Sequence, residues 1–438
     1  MKIKRDILQQ LAAWKDKAGR KPLILQGARQ VGKTWLLKYF GETCFESVAY
    51  FNFEQQHELE QFFRTTKDPK KIIDNLSLVH GKMILPDSTL IVFDEIQECN
   101  DALNSLKYFS EDAPEFAVAC AGSLLGVSMS RGASFPVGKV EFISVPPVTF
   151  SEFLAEAAPE LHNFLEKVEN IELIPDIFFN PLTEKLKMYF ISGGMPEAIV
   201  SLLENHDVSL TQKILQDILN SYVLDFSKHV ENKDIPKIIH IWSSLPSQLA
   251  RENRKFLYQS VKPGARAREY EDALLWLINA GLAHRIYCSL KPALPLSAYD
   301  DLTAFKIYMP DVGLLRRLSK LDPIAITEGN RLFTEFKGAL SENFVLTGLL
   351  HQFEVLPRYW KSESKAEVDF LIQHKNNIIP VEVKSDINVR SKSLAWYRKE
   401  FKPPVSLRFS MQNLKQDEGL INIPLFMLDY TRKILESV

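Results

Sequence analysis

Apolar residues along this chain recur at two spacings, and the switches between them mark out its elements. Near the start, Ile7, Leu8, Leu11 and Trp14 fall at helical spacing, which predicts a helix with one face on a core. The runs KPLILQ (21–26), VAYFNFE (48–54), TLIVFDE (89–95), EFAVACAG (115–122) and KVEFISVPPV (139–148) are apolar nearly throughout, as strands covered on both faces are. Five such strands alternating with helices predict an α/β domain around a doubly wound parallel sheet. From about 150 to 230 the spacing is helical, broken mainly at Gly193-Gly194, which reads as a turn between helices. Residues 231–325 combine helical stretches (IPKIIHIWSSL, DALLWLINAGL) with two strand-like runs (HRIYCSL, AFKIYM), the order of a winged-helix unit. Further on, EVDFLIQHKNNIIPVEVKS (367–385) reads as two period-two strands around a polar turn.

Length and composition narrow the picture only a little. The 438 residues, 46% hydrophobic and 25% charged, suit several folded domains. A net charge of -2 gives no global attraction to nucleic acid or membrane, so such contacts would rest on local patches. The strongest patch is RENRKFLYQSVKPGARAR (251–268), whose six basic side chains and interleaved Phe256 and Tyr258 would suit a phosphate backbone or simply a solvated face. Cys44, Cys99, Cys120 and Cys288 show no paired spacing, as expected in a reducing cytoplasm. No apolar run approaches the ~20 residues that cross a bilayer, and the nine histidines are dispersed with no metal spacing.

One motif carries explicit chemistry. Residues 21–34 run from an apolar strand through a glycine-bearing loop into a helix whose apolar face continues at Leu36, Leu37 and Phe40. Gly27-x4-Gly32-Lys33-Thr34 is the spacing of a phosphate-binding P-loop. In such a loop Gly27, Ala28, Arg29, Gln30, Val31, Gly32, Lys33, Thr34 and Trp35 would wrap ATP, with backbone N–H groups and the helix N-terminus facing phosphate. Lys33 would reach the β- and γ-phosphates, and Thr34 would place its hydroxyl on Mg²⁺. TLIVFDE ends in two acids, of which Asp94 would join the metal shell and Glu95 would polarise the attacking water. Ser123, at the end of the next strand, reads equally as a γ-phosphate sensor and as a helix N-cap.

These segments resemble those of the bacterial and archaeal AAA-type P-loop ATPases that carry a GARQVGKT loop, an FDEIQ segment and a C-terminal region of restriction-endonuclease-like type. The resemblance extends through VPPVTFSEFL (145–154), YFISGGMPEAI (189–199), FKIYMPDVGLL (305–315) and GALSENFV (338–345). It implies an ATPase core over 1–150, a helical lid over 151–230, a winged-helix-like unit over 231–325 and a restriction-endonuclease-like domain over 326–438. Two positions depart from the family pattern, Leu124 and Lys139. Lysine keeps the charge of the family's arginine but lacks its guanidinium fork, which leaves Arg131 as a substitute arginine finger.

The resemblance also implies a nuclease-type site, built from an acid on a helix, an acid on a strand and Glu-x-Lys on the next strand. Here these are Glu342, Asp369 and Glu382-Val383-Lys384. Asp369 and Glu382 would bind Mg²⁺, Glu342 would complete its outer shell, and Lys384 would orient water or stabilise developing charge. The residues alone leave two registers open. A pairing whose numbers sum to 751 sets Asp369 against Glu382, a like-charge pair that calls for a cation, whereas a sum of 753 sets Asp369 against Lys384 as an ordinary ion pair. The expected protein is an ATP-hydrolysing one that couples nucleotide state to this domain, acting on DNA or binding DNA, a protein partner or another copy without cleavage.

Overall fold

The computed structural model describes residues 3–122, 136–251, 254–328, 334–362, 366–385 and 391–438. These gather into two compact units, one formed by Arg5–Pro146 with Asn279–Leu282 and the other by the remainder. Ser123, Leu124 and Arg131 lie outside the described residues, so the sensor and arginine-finger readings have no structural counterpart here.

The first unit is built on five parallel strands: β1 (Leu23–Gln26), β2 (Ser47–Asn52), β3 (Thr89–Asp94), β4 (Ala117–Ala121) and β5 (Glu141–Ser144). Their order across the sheet is β2-β3-β4-β1-β5, and each matches an apolar run of the sequence. β3 and β4 are buried at every position, which explains why neither shows polar alternation. One face is packed by Phe51, Phe53, Phe63, Phe93 and Phe109, with Phe53, Phe63 and Phe93 meeting edge to face at 5.6 Å. The predicted first helix spans Ile7–Lys15 and buries Ile7, Leu11 and Trp14. No helix among the described residues is long and apolar enough to cross a membrane, and all four cysteines are free thiols.

The second unit carries an eight-stranded mixed sheet. Its strands are β6 (His284–Ser289), β7 (Asp300–Tyr308), β8 (Arg358–Lys361), β9 (Glu367–His374), β10 (Asn377–Val383), β11 (Ser406–Ser410), β12 (Lys415–Asp417) and β13 (Leu420–Pro424), in the order β12-β13-β11-β10-β9-β8-β6-β7. This corrects the winged-helix expectation for 231–325. The β6–β7 ribbon is no separate wing, because β6 also pairs in parallel with β8 through Cys288–Tyr359 and Ser289–Trp360. The last five residues of β7 are buried, as a strand inside a larger sheet requires.

Residues 150–229 are largely helical, as the spacing predicts, but 167–175 are not, a longer break than the expected one at Gly193-Gly194; the segment clusters with this second unit. Gly193-Gly194 separates the helices Asp176–Ser192 and Pro196–Asn205. The turn is gripped by Asp311, which accepts the Gly194 N–H at 2.5 Å and the Leu314 N–H at 2.8 Å and so also caps the helix Val312–Leu318. Asn343 exchanges two hydrogen bonds with the backbone of Met309. The polar letters inside FKIYMPDVGLL and GALSENFV thus act largely as internal clamps.

Burial pushes the Asp311 carboxyl up to about 6 against the hydrogen bonds that oppose it. The folded chain therefore holds this proton more tightly than the unfolded chain, and stability from it is present below about pH 4 and lost as pH rises through 6. Denaturant melts should show the stability of the parent, relative to Asp311→Asn, falling between pH 4 and 6.

Candidate functional site

β1 ends at Gln26, where β5 is still paired alongside it, Gln26 against Ser144. Val145 then donates its N–H to the Gln26 carbonyl at 2.6 Å. A Cβ on Gly27 would stand 2.2 Å from the Val145 carbonyl oxygen, so only glycine lets the loop leave the sheet at this point. Gly32, at φ 93°, turns the chain into the helix Lys33–Cys44 through backbone that side chains disfavour. That helix buries Leu36, Leu37 and Phe40, the predicted face.

Lys33 curls back over the loop, its Nζ donating to the carbonyls of Gly27 and Ala28 at 2.8 Å each. Burial pulls its ammonium down to about 8, against the attraction of Glu95 and Asp94. Thr34 Oγ1 lies 2.9 Å from Asp94 Oδ2 and 3.1 Å from Oδ1. A hydroxyl beside a carboxylate that is only 3% exposed is a hard oxygen donor pair of the kind Mg²⁺ takes, so the residues present fit the ion. Glu95 follows in left-handed backbone, φ 49° and ψ 45°, at the start of the turn Ile96–Glu98. Trp35 stacks its ring on Tyr39 at 5.0 Å.

Two residues of this site were not found from the sequence. Tyr50 donates its hydroxyl to Asp94 Oδ2 at 2.6 Å, and burial together with that bond pushes the phenol up to about 12. Its signal was the alternation Tyr50, Asn52 at the carboxyl end of a strand that pairs Asn52 with Asp94. Arg5 left no local signal. It is 4% exposed and donates to the carbonyls of Val31, inside the loop, and Pro146, just past β5, at 3.2 and 2.7 Å.

In the second unit, β9 and β10 pair with numbers that sum to 751, from His374–Asn377 to Phe370–Val381, closed by a two-residue turn at Lys375-Asn376. One step further sets Asp369 against Glu382, and the 753 register does not form. Lys384 instead pairs with Glu382 Oε1 at 2.6 Å, and Asp369 Oδ2 accepts the Val383 N–H at 2.8 Å. Glu382 Oε2 is buried without a hydrogen-bond partner among the described residues. Burial first, and Asp369 second, raise the Glu382 carboxyl above the usual carboxylate range, against the opposing pull of Lys384 and of a Ser391 side-chain hydrogen bond. An orphaned carboxylate oxygen beside a second carboxylate fits a divalent cation.

Glu342 departs from its expected role in a metal shell. Its carboxylate is committed to Arg254, to the Tyr308 hydroxyl and to Lys306, 3.4 Å away, and Lys306 also pairs with Glu367 at 2.7 Å. A buried acid this well supplied with cations has no need of a metal. Among the described residues no group of three or more His, Cys, Asp or Glu side chains could hold one. Arg408 sits beside Glu382 in the parallel pairing of β10 with β11, a placement invisible in the sequence.

The 251–268 patch is only partly a surface. Arg251, Lys262, Arg266 and Arg268 are exposed, but Phe256 is buried, stacked on Phe305 at 5.5 Å, and the Tyr258 hydroxyl is spent on Glu271. The two interleaved aromatic residues are thus engaged within the protein, Phe256 in its interior and Tyr258 through its hydroxyl. Lys139 is likewise engaged, with Glu111 at 2.7 Å.

Replacing Arg5 by methionine keeps its apolar stem and removes the donor to two carbonyls around the loop. At about 1–3 kcal/mol per unsatisfied buried group, the melting temperature should fall by several degrees in calorimetry.

Comparison with known proteins agrees with this geometry. Residues 19–154 match the AAA domain family, residues 183–325 the domain of unknown function DUF8612, and residues 337–428 the domain of unknown function DUF4143. Comparison with curated proteins gives no match. Among solved structures, the chain is similar to a Walker-type ATPase of Pyrococcus abyssi, at 13% identity over 72% of this chain and 96% of that one, with a TM-score of 0.47. It is similar to the Aeropyrum pernix Orc1 protein in complex with DNA at 13% identity over 73% and 91%, TM-score 0.27. AMPPCP-bound DnaA from Aquifex aeolicus aligns at 13% identity over 61% and 85%, TM-score 0.23. These likenesses are too distant to carry an activity across. The family match, the strand order and the Lys33–Thr34–Asp94 geometry agree on one conclusion: the chain carries an AAA-type P-loop ATPase domain.

Proposed function

We propose that this protein binds ATP with Mg²⁺ at the Gly27–Thr34 loop and hydrolyses it, and that turnover governs the use of the second unit. The reading is supported above all by Thr34 and Asp94, sixty positions apart in sequence, meeting at 2.9 Å beside the loop lysine. Lys33 and the loop N–H groups would hold the phosphates, and Thr34 and Asp94 would hold the ion. When bound, Mg²⁺ supplies positive charge against the β- and γ-phosphates. A water attacks the γ-phosphorus while Glu95 accepts one of its protons. The bond to the β–γ bridging oxygen breaks, leaving ADP and phosphate.

Lys33→Ala should lose ATP binding, and Glu95→Gln should keep ATP but reduce turnover by two orders of magnitude or more, since the phosphate and metal contacts survive it. Isothermal titration and a phosphate-release assay separate the two. Parent-rate turnover by Glu95→Gln would remove Glu95 as the base.

For the second unit we propose divalent-metal chemistry on a phosphodiester, with DNA as the substrate class. The orphaned Glu382 oxygen beside Asp369 supports this reading, with Lys384 placed to stabilise negative charge. The exposed bases at Arg251, Lys262, Arg266 and Arg268 are available to a phosphate backbone. Mn²⁺- or Mg²⁺-dependent cutting of plasmid DNA, abolished by Glu382→Ala and by Lys384→Ala, is the expected result. DNA binding without cutting would make the unit an ATP-governed binding platform for DNA or a partner.

A further inference from the structure

Beside Glu95 stands a polar side chain that the hydrolysis scheme leaves unused. Gln97 stands two residues beyond Glu95, in the turn Ile96–Glu98. Its Nε2 donates to Glu95 Oε2 at 2.6 Å. Its other end, Oε1, is buried with no hydrogen-bond partner among the described residues. A buried amide oxygen without a donor is costly, and this one sits on the same amide as the nitrogen that grips Glu95.

The local backbone is shaped to bring the two side chains together. β3 ends at Asp94, and Glu95 then takes a left-handed conformation at φ 49°, one that a residue with a side chain adopts only at a cost. The turn is closed by the Glu98 N–H on the Glu95 carbonyl at 3.0 Å and anchored by Ile96, which is fully buried. An extended continuation of β3 would put residues 95 and 97 on one face but about 6 to 7 Å apart along the strand. The reversal at Glu95 folds that separation into a hydrogen bond.

We propose that Gln97 is a positioning residue for hydrolysis: its Nε2–H holds the Glu95 carboxylate in the orientation from which it accepts a proton of the attacking water. The inference rests on the assignment of Glu95 as base. Glu95 receives one proton as the new P–O bond forms, and the other stays on the phosphate product. A base held in one orientation keeps the lone pair of the water it deprotonates aimed at phosphorus, an effect that appears in kcat rather than in ATP affinity.

The test compares the full-length parent, Gln97→Leu and Gln97→Met, each also in a Glu95→Gln background, by steady-state and single-turnover phosphate release. ATP-induced thermal shifts check that each variant folds and binds. Both single variants should lose roughly 10- to 100-fold in kcat with KM and the thermal shift unchanged, and neither should cost more once Glu95 is glutamine. A merely structural role would lower activity equally in both backgrounds and blunt the thermal shift, which overturns the proposal. Parent-like turnover in the single variants overturns it, and so does faster turnover, which would make Gln97 a restraint. If Glu95→Gln alone hydrolyses at the parent rate, the assignment of Glu95 fails, and the proposal falls with it.

Discussion

The hydrogen bond from Thr34 to Asp94 is the contact on which the nucleotide unit depends. Neither residue can reach the other unless β1 and β3 lie in one parallel sheet with β4 between them, because only then do both strands deliver their carboxyl ends to the same edge. The rest of the unit serves that alignment. The phenylalanine cluster fixes β3, the Val145 carbonyl admits glycine alone at position 27, and Arg5 ties the loop to the segment beyond β5. Tyr50 adds a second donor to Asp94, so the carboxylate is buried with its charge satisfied and its orientation set.

The second unit handles buried charge in two different ways. Around Glu342 the negative charge is answered inside the protein by Arg254, Lys306 and Tyr308, and a carboxylate satisfied in this way is structural. Around Glu382 the answer is incomplete, since Lys384 covers one oxygen and leaves the other without a donor. Burial of an acid beside a second acid raises its affinity for a proton or a cation. Two acids that look alike on a strand and a helix thus differ in what they can bind.

Much of this was legible in the residues. Fully apolar runs such as TLIVFD announced strands covered on both faces, and the spacing of Gly27, Gly32, Lys33 and Thr34 announced the loop, because such features arise from local sterics and local burial. The glycine at 27 could be read from spacing, but its reason, a carbonyl from residue 145, could not. Tyr50, Arg5 and Arg408 escaped because each acts on a partner dozens of residues or more away, across strands whose order local pattern does not encode. The runs that form β6 and β7 read as strands, but local pattern does not say which sheet they join. What recruits them into the larger sheet is pairing with β8, some seventy residues later.

By itself, then, the chain's order of residues determined the elements, the phosphate loop and the identity of the acids, since these depend on neighbours within a few positions. Tertiary structure alone decided the register that faces Asp369 with Glu382, the cations that claim Glu342 and the turn that brings Gln97 onto Glu95. The physical reason is that a carboxylate's chemistry is set by the charges and donors within a few ångströms of it, and those come from whatever part of the chain the fold brings near.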